Sequence, residues 1–217
     1  MTVPFEREFE LYHFGESICS QKARVGMLEK DVPYASHHIG LCGFSAGCDN
    51  LAPEYVRVNP RGQVPTLVLP DGSIMSETAA ILIHLAACHP DKGLGPGPGT
   101  AAHGQFLRWL VFANVNVYEA VLRRSYPFRY TTDQDALDAT RDAAIARMGE
   151  ALAVLEQAVE SGPFLFGDAM TVADVYIAML FIWFRGETEA PKLTRLTAGV
   201  RQHPTVAPIW RRHFGDR

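Results

Sequence analysis

Two short stretches carry residues able to do thiol chemistry. Ser17-Ile18-Cys19-Ser20 sets a thiol between hydroxyls, where a β-like run ends and a helical run begins. In α/β folds ligands gather at strand C-termini, and the positive end of a helix favours an anion. A cysteine placed there is favoured as thiolate, its nucleophilic form. The other reading of Cys19 is a small buried hydrophobe. The second stretch is Asn59-Pro60-Arg61-Gly62-Gln63-Val64-Pro65, with Glu77-Thr78 downstream. X-Pro is the bond that adopts cis at moderate cost. A cis Val64-Pro65 turns the Val64 N–H and C=O sideways, where an extended peptide pairs with them as one more strand. An ordinary strand-entry proline is the alternative. Glu77-Thr78 puts a carboxylate and a hydroxyl at a helix start, a first turn that also favours acids without any ligand.

The elements that must position these residues follow from periodicity. Glu8 to Phe14 alternates as a strand, Gly15-Glu16-Ser17 breaks it, and Ser20 to Lys30 has helical spacing through Ala23, Val25, Met27 and Leu28. Asp31-Val32-Pro33 ends the helix, and Tyr34 to Ile39 reads as a second strand. This order predicts a right-handed parallel βαβ unit. Leu41 to Leu51 is a loop and Pro53-Glu54-Tyr55 a short helix. Thr66–Leu69 and Ser73–Met75 form a hairpin around Pro70-Asp71-Gly72, and a helix opens at Glu77. His89 to Gly99 packs four glycines and three prolines into eleven positions, which continues neither element. We read residues 1–89 as one domain, 90–102 as a linker and 103–217 as an all-helical domain.

In that second part, Phe106, Trp109, Leu110, Ala113, Val117 and Val121 share one face of a helix from His103 to Arg124. Phe112, Val115 and Tyr118 make its other side apolar too, as in a central core helix or one at a subunit interface. Asp133 to Ser161 is a further helix whose Ile145, Met148, Leu152, Leu155 and Val159 are spaced to face the core. In Thr171-Val172-Ala173-Asp174, Thr171 is a good N-cap and Asp174 is placed to return a bond to the cap N–H. Two short helices follow, near Thr194–Gln202 and Val206–His213.

Composition narrows the function classes. The 217 residues carry a net charge of −4 with no basic block, which argues against nucleic-acid binding through phosphates. Met1 to Arg7 lacks the pattern of a signal peptide. Phe164 to Phe184 is apolar but holds Asp168 and Asp174, whereas a membrane span needs about 20 predominantly apolar residues. The four cysteines are irregularly spaced and there is no Cys-x-x-Cys pair, so the expectation is reduced thiols in the cytoplasm and no disulfide framework. The eight histidines are scattered, and no metal is expected.

Asn-Pro-x-Gly-x-Val-Pro, a hairpin, and Glu-Thr opening a helix together resemble the glutathione-binding half of the cytosolic glutathione transferases. Gly167-Asp168 with Thr171-x-x-Asp174 resembles a capping segment in the helical half, so the resemblance covers nearly the whole chain. It implies an α/β thioredoxin-like N-terminal domain, an all-α C-terminal helical bundle, a homodimer and glutathione as co-substrate. Ser-x-Cys-Ser resembles the zeta class, and Cys-Ser alone the bacterial beta class, although Gln21-Lys22 replaces the aromatic-basic pair usual in the zeta pattern. The resemblance implies Cys19 as principal group, Ser17 as its hydroxyl partner and Ser20 as the alternative thiol-activating hydroxyl. Glu77 would take the γ-glutamyl amine, Thr78 the carboxylate, Val64 before Pro65 the cysteinyl backbone and Gln63 the glycyl end. Trp109, Phe112, Asn116 and the aromatic Tyr126–Tyr130 cluster are expected to line a pocket for a small hydrophobic electrophile, with Leu41 to Asn50 as the opposite wall. The activity implied is conjugation, reductive dehalogenation or ether cleavage. A maleylacetoacetate-type cis-trans isomerase and a non-enzymatic transferase-like module are the alternatives.

Overall fold

The computed structural model describes residues 8–28, 32–159, 162–183 and 189–215. Met1–Arg7, Glu29 to Asp31 around the expected helix end, Ser161 and Phe184 lie outside the described residues. The expected βαβ unit is present as β1 (Phe9–His13), α1 (Ile18–Leu28) and β2 (Tyr34–His38), with β1 and β2 parallel and Phe9 opposite Tyr34. After α2 (Pro53–Val58) come β3 (Thr66–Val68) and β4 (Ile74–Met75). β3 runs antiparallel to β1, Leu67 opposite Leu11, and the sheet order is β2-β1-β3-β4.

Leu11 and Leu67 are fully buried, and so are Ala23, Val25 and Met27 of α1. α3 (Thr78–Cys88) packs beside α1 so closely that a Cβ on Gly26 would meet Leu82 Cδ2 at 2.8 Å. The helical part begins with α4 (Ala101–Phe112), where Thr100 Oγ1 accepts the His103 N–H at 3.1 Å. α4 runs through a π-helical segment, Ala113–Tyr118, into α5 (Glu119–Ser125). There the Glu119 N–H reaches Asn114 C=O, five residues back. α6 (Leu137–Ala158), α7 (Val172–Trp183), α8 (Pro191–Gln202) and α9 (Ala207–Phe214) complete the domain. The chain is thus a mixed four-stranded sheet with helices, followed by a helical domain.

One core expectation is corrected on α6. Ile145 is 40% exposed, while Ala144, Met148, Leu152 and Leu155 are buried. The buried row keeps a spacing of three or four residues from Ala144, and Ile145 lies one residue, about 100°, off it. Among the described residues no helix is long and apolar enough to cross a membrane.

α7 is the central helix, buried from Val172 to Leu180. Its start is held by Asp174, which accepts from the Leu165 N–H at 2.7 Å and from the Thr171 N–H and hydroxyl at 2.8 Å each. The return bond to the cap N–H is as expected. The cap hydroxyl differs: it donates to the carboxylate instead of accepting the Asp174 N–H, which goes to Thr171 C=O at 3.1 Å. Burial pushes the Asp174 carboxyl up, and these donors oppose the shift. Asp174→Ala strands two buried N–H groups and a hydroxyl, a loss of about 3 kcal/mol or more. For a chain of this size that is a fall in Tm of roughly 6–12 °C. A thermal melt shifted by less than 2 °C (roughly 0.5–1 kcal/mol) would remove Asp174 as the anchor of α7.

Candidate functional site

A cleft of about 810 Å³ opens between the sheet domain and the helical domain. Its floor is the start of α1. Ser17 Oγ accepts the Ser20 N–H at 3.3 Å, which caps the helix, and Gln21 N–H bonds Ser17 C=O at 2.9 Å. Cys19 lies in this first turn, 9% exposed, with a free thiol that lines the cleft. Ser17 lines it as well. Ser20 does not: it is fully buried and its Oγ accepts the Phe14 N–H at 3.2 Å. The turn that presents Cys19 therefore uses one flanking hydroxyl as cap and the other as a tie to β1.

The sheet-side wall carries Gln63, Val64, Pro65, Glu77 and Thr78, all lining the cleft. The Val64–Pro65 peptide is cis. Three side chains converge on the Gln63 carbonyl: Tyr55 Oη at 2.5 Å, Asn59 Nδ2 at 2.8 Å and Thr66 Oγ1 at 3.4 Å. That net leaves the Gln63 side chain exposed at the rim beside Arg61. Glu77 has φ 68°, ψ 108°, a backbone region a non-glycine residue occupies at a cost of about 1–3 kcal/mol. It precedes α3 directly, and its side chain is exposed. Thr78 is buried, with Oγ1 3.5 Å from the Cys19 carbonyl it donates to.

The Leu41–Asn50 loop forms part of the wall through Leu41, Cys42, Phe44 and Asn50. Asn50 Nδ2 donates to Gly62 C=O at 2.9 Å, and its Oδ1 accepts the Cys42 N–H at 2.9 Å. Gly62, at φ +59°, leaves no room for a side chain: a Cβ would lie 2.7 Å from Asn50 C=O. Contrary to the expectation of four reduced thiols, Cys42 and Cys48 are joined in a disulfide. The loop folds back until their Cα atoms are 4.4 Å apart, a local closure that whole-chain cysteine spacing does not reveal.

The helical wall corrects the pocket expected from the sequence. Trp109, Phe112 and Asn116 do not line the cleft, whereas Asn114, Val115, Tyr118, Glu119, Leu122, Tyr126 and Arg129 do. Trp109 is buried, edge-on to Phe112, and Asn116 Nδ2 donates to Phe112 C=O at 3.1 Å. The buried row is Ala113–Val117–Val121. Phe112 and Asn116 precede its members by one residue; Asn114, Tyr118 and Leu122 follow them. The two sets flank the row on opposite sides, and periodicity does not say which side meets the other domain. In the aromatic cluster, Tyr126 reaches the cleft, edge-on to Phe44, with the Arg129 guanidinium 4.3 Å from its ring.

Two lining residues, Tyr118 and Tyr176, and the buried Lys22 were not anticipated. Tyr118 lines the cleft beside Cys19, and burial, with the nearby Cys19, pushes that phenol far up. Tyr176 of α7 lines the cleft and donates to Asn114 Oδ1 at 2.8 Å. Lys22 is fully buried, its Nζ 3.9 Å from the Tyr176 ring centroid and 5.3 Å from that of Tyr118. Burial pulls its ammonium down to about 8, opposed by attraction to Cys19. A lysine inside the apolar run of α1 was the sequence signal available for it.

Two family models match the chain: glutathione S-transferase, N-terminal domain, over residues 16–88, and glutathione S-transferase, C-terminal domain, over residues 138–214. The chain belongs to the cytosolic glutathione S-transferase superfamily. It is 29% identical over 188 residues to the uncharacterized GST-like protein YncG of Escherichia coli K12, covering 84% of this chain and 88% of that one. It is 29% identical to a probable elongation factor 1-gamma 1 of Arabidopsis thaliana, over 76% of this chain but only 44% of the factor. Glutathione S-transferase GstA of Escherichia coli O157:H7 is 27% identical, over 60% of this chain and 61% of its own. The crystal structure of a glutathione transferase homologue from Sulfitobacter, with bound glutathione, has the same fold, with TM-score 0.81, 23% identity and coverage of 94% and 98%.

Two outcomes are expected of the site chemistry. Alkylation of denatured, unreduced protein marks Cys19 and Cys88 only, and prior reduction adds Cys42 and Cys48; four marked thiols without reduction would remove the disulfide. Lys22→Met keeps or raises Tm at pH 7, because it deletes a desolvated charge. The unfolded chain holds the Lys22 proton above pH 8 where the fold has released it, so native stability rises with pH from about 8 toward 10. The variant's advantage shrinks over that window, and a constant gap in Tm between pH 7 and 10 would contradict it.

Proposed function

We propose that this chain is a glutathione-dependent transferase acting on a small hydrophobic electrophile. The observation that carries the reading is the free Cys19 thiol in the first turn of α1, on the floor of a cleft whose wall holds Val64, Glu77 and Thr78. In this reading Glu77 takes the γ-glutamyl amine. The first N–H groups of α3 take the neighbouring carboxylate, with the Thr78 hydroxyl turning to it from its long 3.5 Å bond to the Cys19 carbonyl. Val64 pairs with the cysteinyl backbone, and Gln63 serves the glycyl end. Cys19 meets the glutathione sulfur by hydrogen bond; Ser17 supports it, and Ser20 acts only through the turn. Conjugation joins the glutathione sulfur to the electrophile, expels the leaving group and releases the thiol proton. The electrophile lies against Leu41, Phe44, Leu122, Tyr126 and Trp183. A cytoplasmic homodimer, with no metal, belongs to the same reading.

A second reading rests on the match to an elongation factor 1-gamma: a transferase-like module that binds or assembles without catalysis. Calorimetric titration with reduced glutathione at pH 7 separates the two. Saturable binding is expected, weakened at least tenfold in Glu77→Ala, and it justifies screening aryl halides, aryl ethers and maleyl compounds. A maleyl substrate isomerised without net consumption of glutathione would place the chain with the isomerases instead. No heat at millimolar glutathione would favour the module.

A further inference from the structure

We propose that the Cys42–Cys48 disulfide is a second thiol-exchange site of the cleft, opened by glutathione and closed again by oxidised glutathione. The inference rests on the reading above, in which glutathione occupies the cleft, and makes no use of Cys19. Cys42 lines the cleft and is half-buried, whereas Cys48 is exposed. Exposed disulfides are the labile ones, and the regulatory or catalytic ones. Asn50 fixes the bridge against the sheet-side wall: its Oδ1 accepts the Cys42 N–H at 2.9 Å and its Nδ2 donates to Gly62 C=O at 2.9 Å. Gly62 stands two residues before Val64, which pairs with the cysteinyl backbone in that reading. The disulfide and the segment that would hold the thiol peptide therefore belong to one wall.

The bridge is redundant as a staple. It joins cysteines six residues apart, and a short closed loop gains least from a cross-link. Hydrogen bonds already close the same loop. The Gly40 N–H donates to Asp49 Oδ2 at 2.8 Å and the Asn50 N–H to Gly40 C=O at 3.0 Å. Ser45 Oγ lies 3.0 and 2.9 Å from the Leu41 and Gly47 carbonyls. These bonds keep the two thiols within reach of each other once the bridge opens, so reclosure is intramolecular. In the first step a glutathione thiolate attacks the Cys42 sulfur from the cleft. A glutathione–Cys42 disulfide forms, the Cys42–Cys48 bond breaks, and its electron pair leaves on Cys48, which takes a proton from water. A second glutathione thiolate attacks the sulfur of the first and releases oxidised glutathione, and Cys42 leaves as a thiolate that takes a proton in turn. The pair gains the two electrons that the two glutathione molecules lose.

The test follows opening of the bridge in the folded protein by acid quench, alkylation and peptide mass. Reduced glutathione is compared with 2-mercaptoethanol at equal thiolate concentration. Glutathione is expected to open the bridge at least tenfold faster, because binding in the cleft raises its local concentration. S-methylglutathione, which has the peptide but no thiol, is expected to remove that advantage by competition, and Glu77→Ala to remove it by weakening binding. Oxidised glutathione is expected to restore the bridge. A bridge that stays closed at millimolar glutathione, opens no faster than with 2-mercaptoethanol, or does not close again overturns the proposal. The comparison on wild-type protein stands even where the Glu77 variant does not fold. Calorimetric binding of glutathione without the rate advantage sinks only the exchange site, whereas no binding sinks the glutathione reading and the exchange site with it.

Discussion

The cleft depends on how α1 begins and what lies under its first turn. Lys22 comes from the sheet domain, while the rings of Tyr118 and Tyr176 that hold it come from the helical domain. The two domains therefore meet through a desolvated cation one helical turn beyond Cys19. Burying an ammonium without an anion is unfavourable by several kcal/mol. Aromatic faces recover about 2 kcal/mol or more when the contact is dry. Tyr176 is fixed in turn by Asn114 and by the packing of α7, which Asp174 anchors to the segment before it. A shift of α7 against α1 would expose the ammonium and change the environment of Cys19 together.

The sheet side of the cleft is fixed by different means. Tyr55, Asn59 and Thr66 converge on one carbonyl and hold the chain from Asn59 to Thr66 in a single shape. Asn50 reaches across to Gly62, so the cleft-lining loop and the Val64–Pro65 segment are one unit. Glu77 keeps a positive φ immediately before α3, and such backbone persists only where its surroundings over-determine it. Here those surroundings are the β4 end on one side and the buried Thr78 and Ala79 on the other. Both arms of the wall are therefore held by bonds within the chain itself, and a wall held in this way needs less ordering when a ligand binds.

Much of the fold was legible in the sequence because its signals are local. Alternation in Glu8–Phe14, the proline after Val32 and the Pro-Asp-Gly turn suffice for a parallel βαβ unit followed by a hairpin. The glycine- and proline-rich run after His89 separates two regimes of periodicity without ambiguity. The helix faces were legible only as far as the core row. Ile145 and Ala144 are neighbours of similar apolar character, and only packing shows that the smaller one is buried. Phe112 and Asn116 failed as wall residues for a related reason, since the row beside a buried row can lie on either side of it. The disulfide escaped because it depends on a loop closing on itself. Lys22 was visible as a departure from a familiar motif, but its burial between two tyrosines distant in sequence was not.

Family membership carries the fold and leaves the chemistry open. The matches include glutathione S-transferases and an elongation factor 1-gamma, so overall similarity does not separate a catalyst from a binding module. What separates them is whether the floor of the cleft is built around a reactive sulfur. A module kept only for its surface has no use for a buried lysine without an anion, and leucine or methionine at that position would pack as well with less strain on stability. The fold instead encloses a positive charge between the rings of Tyr118 and Tyr176, one helical turn beyond Cys19, and caps the turn that carries the cysteine. The capped turn that sets the free Cys19 thiol in the cleft, more than the likeness of the whole chain, is what supports the catalytic reading.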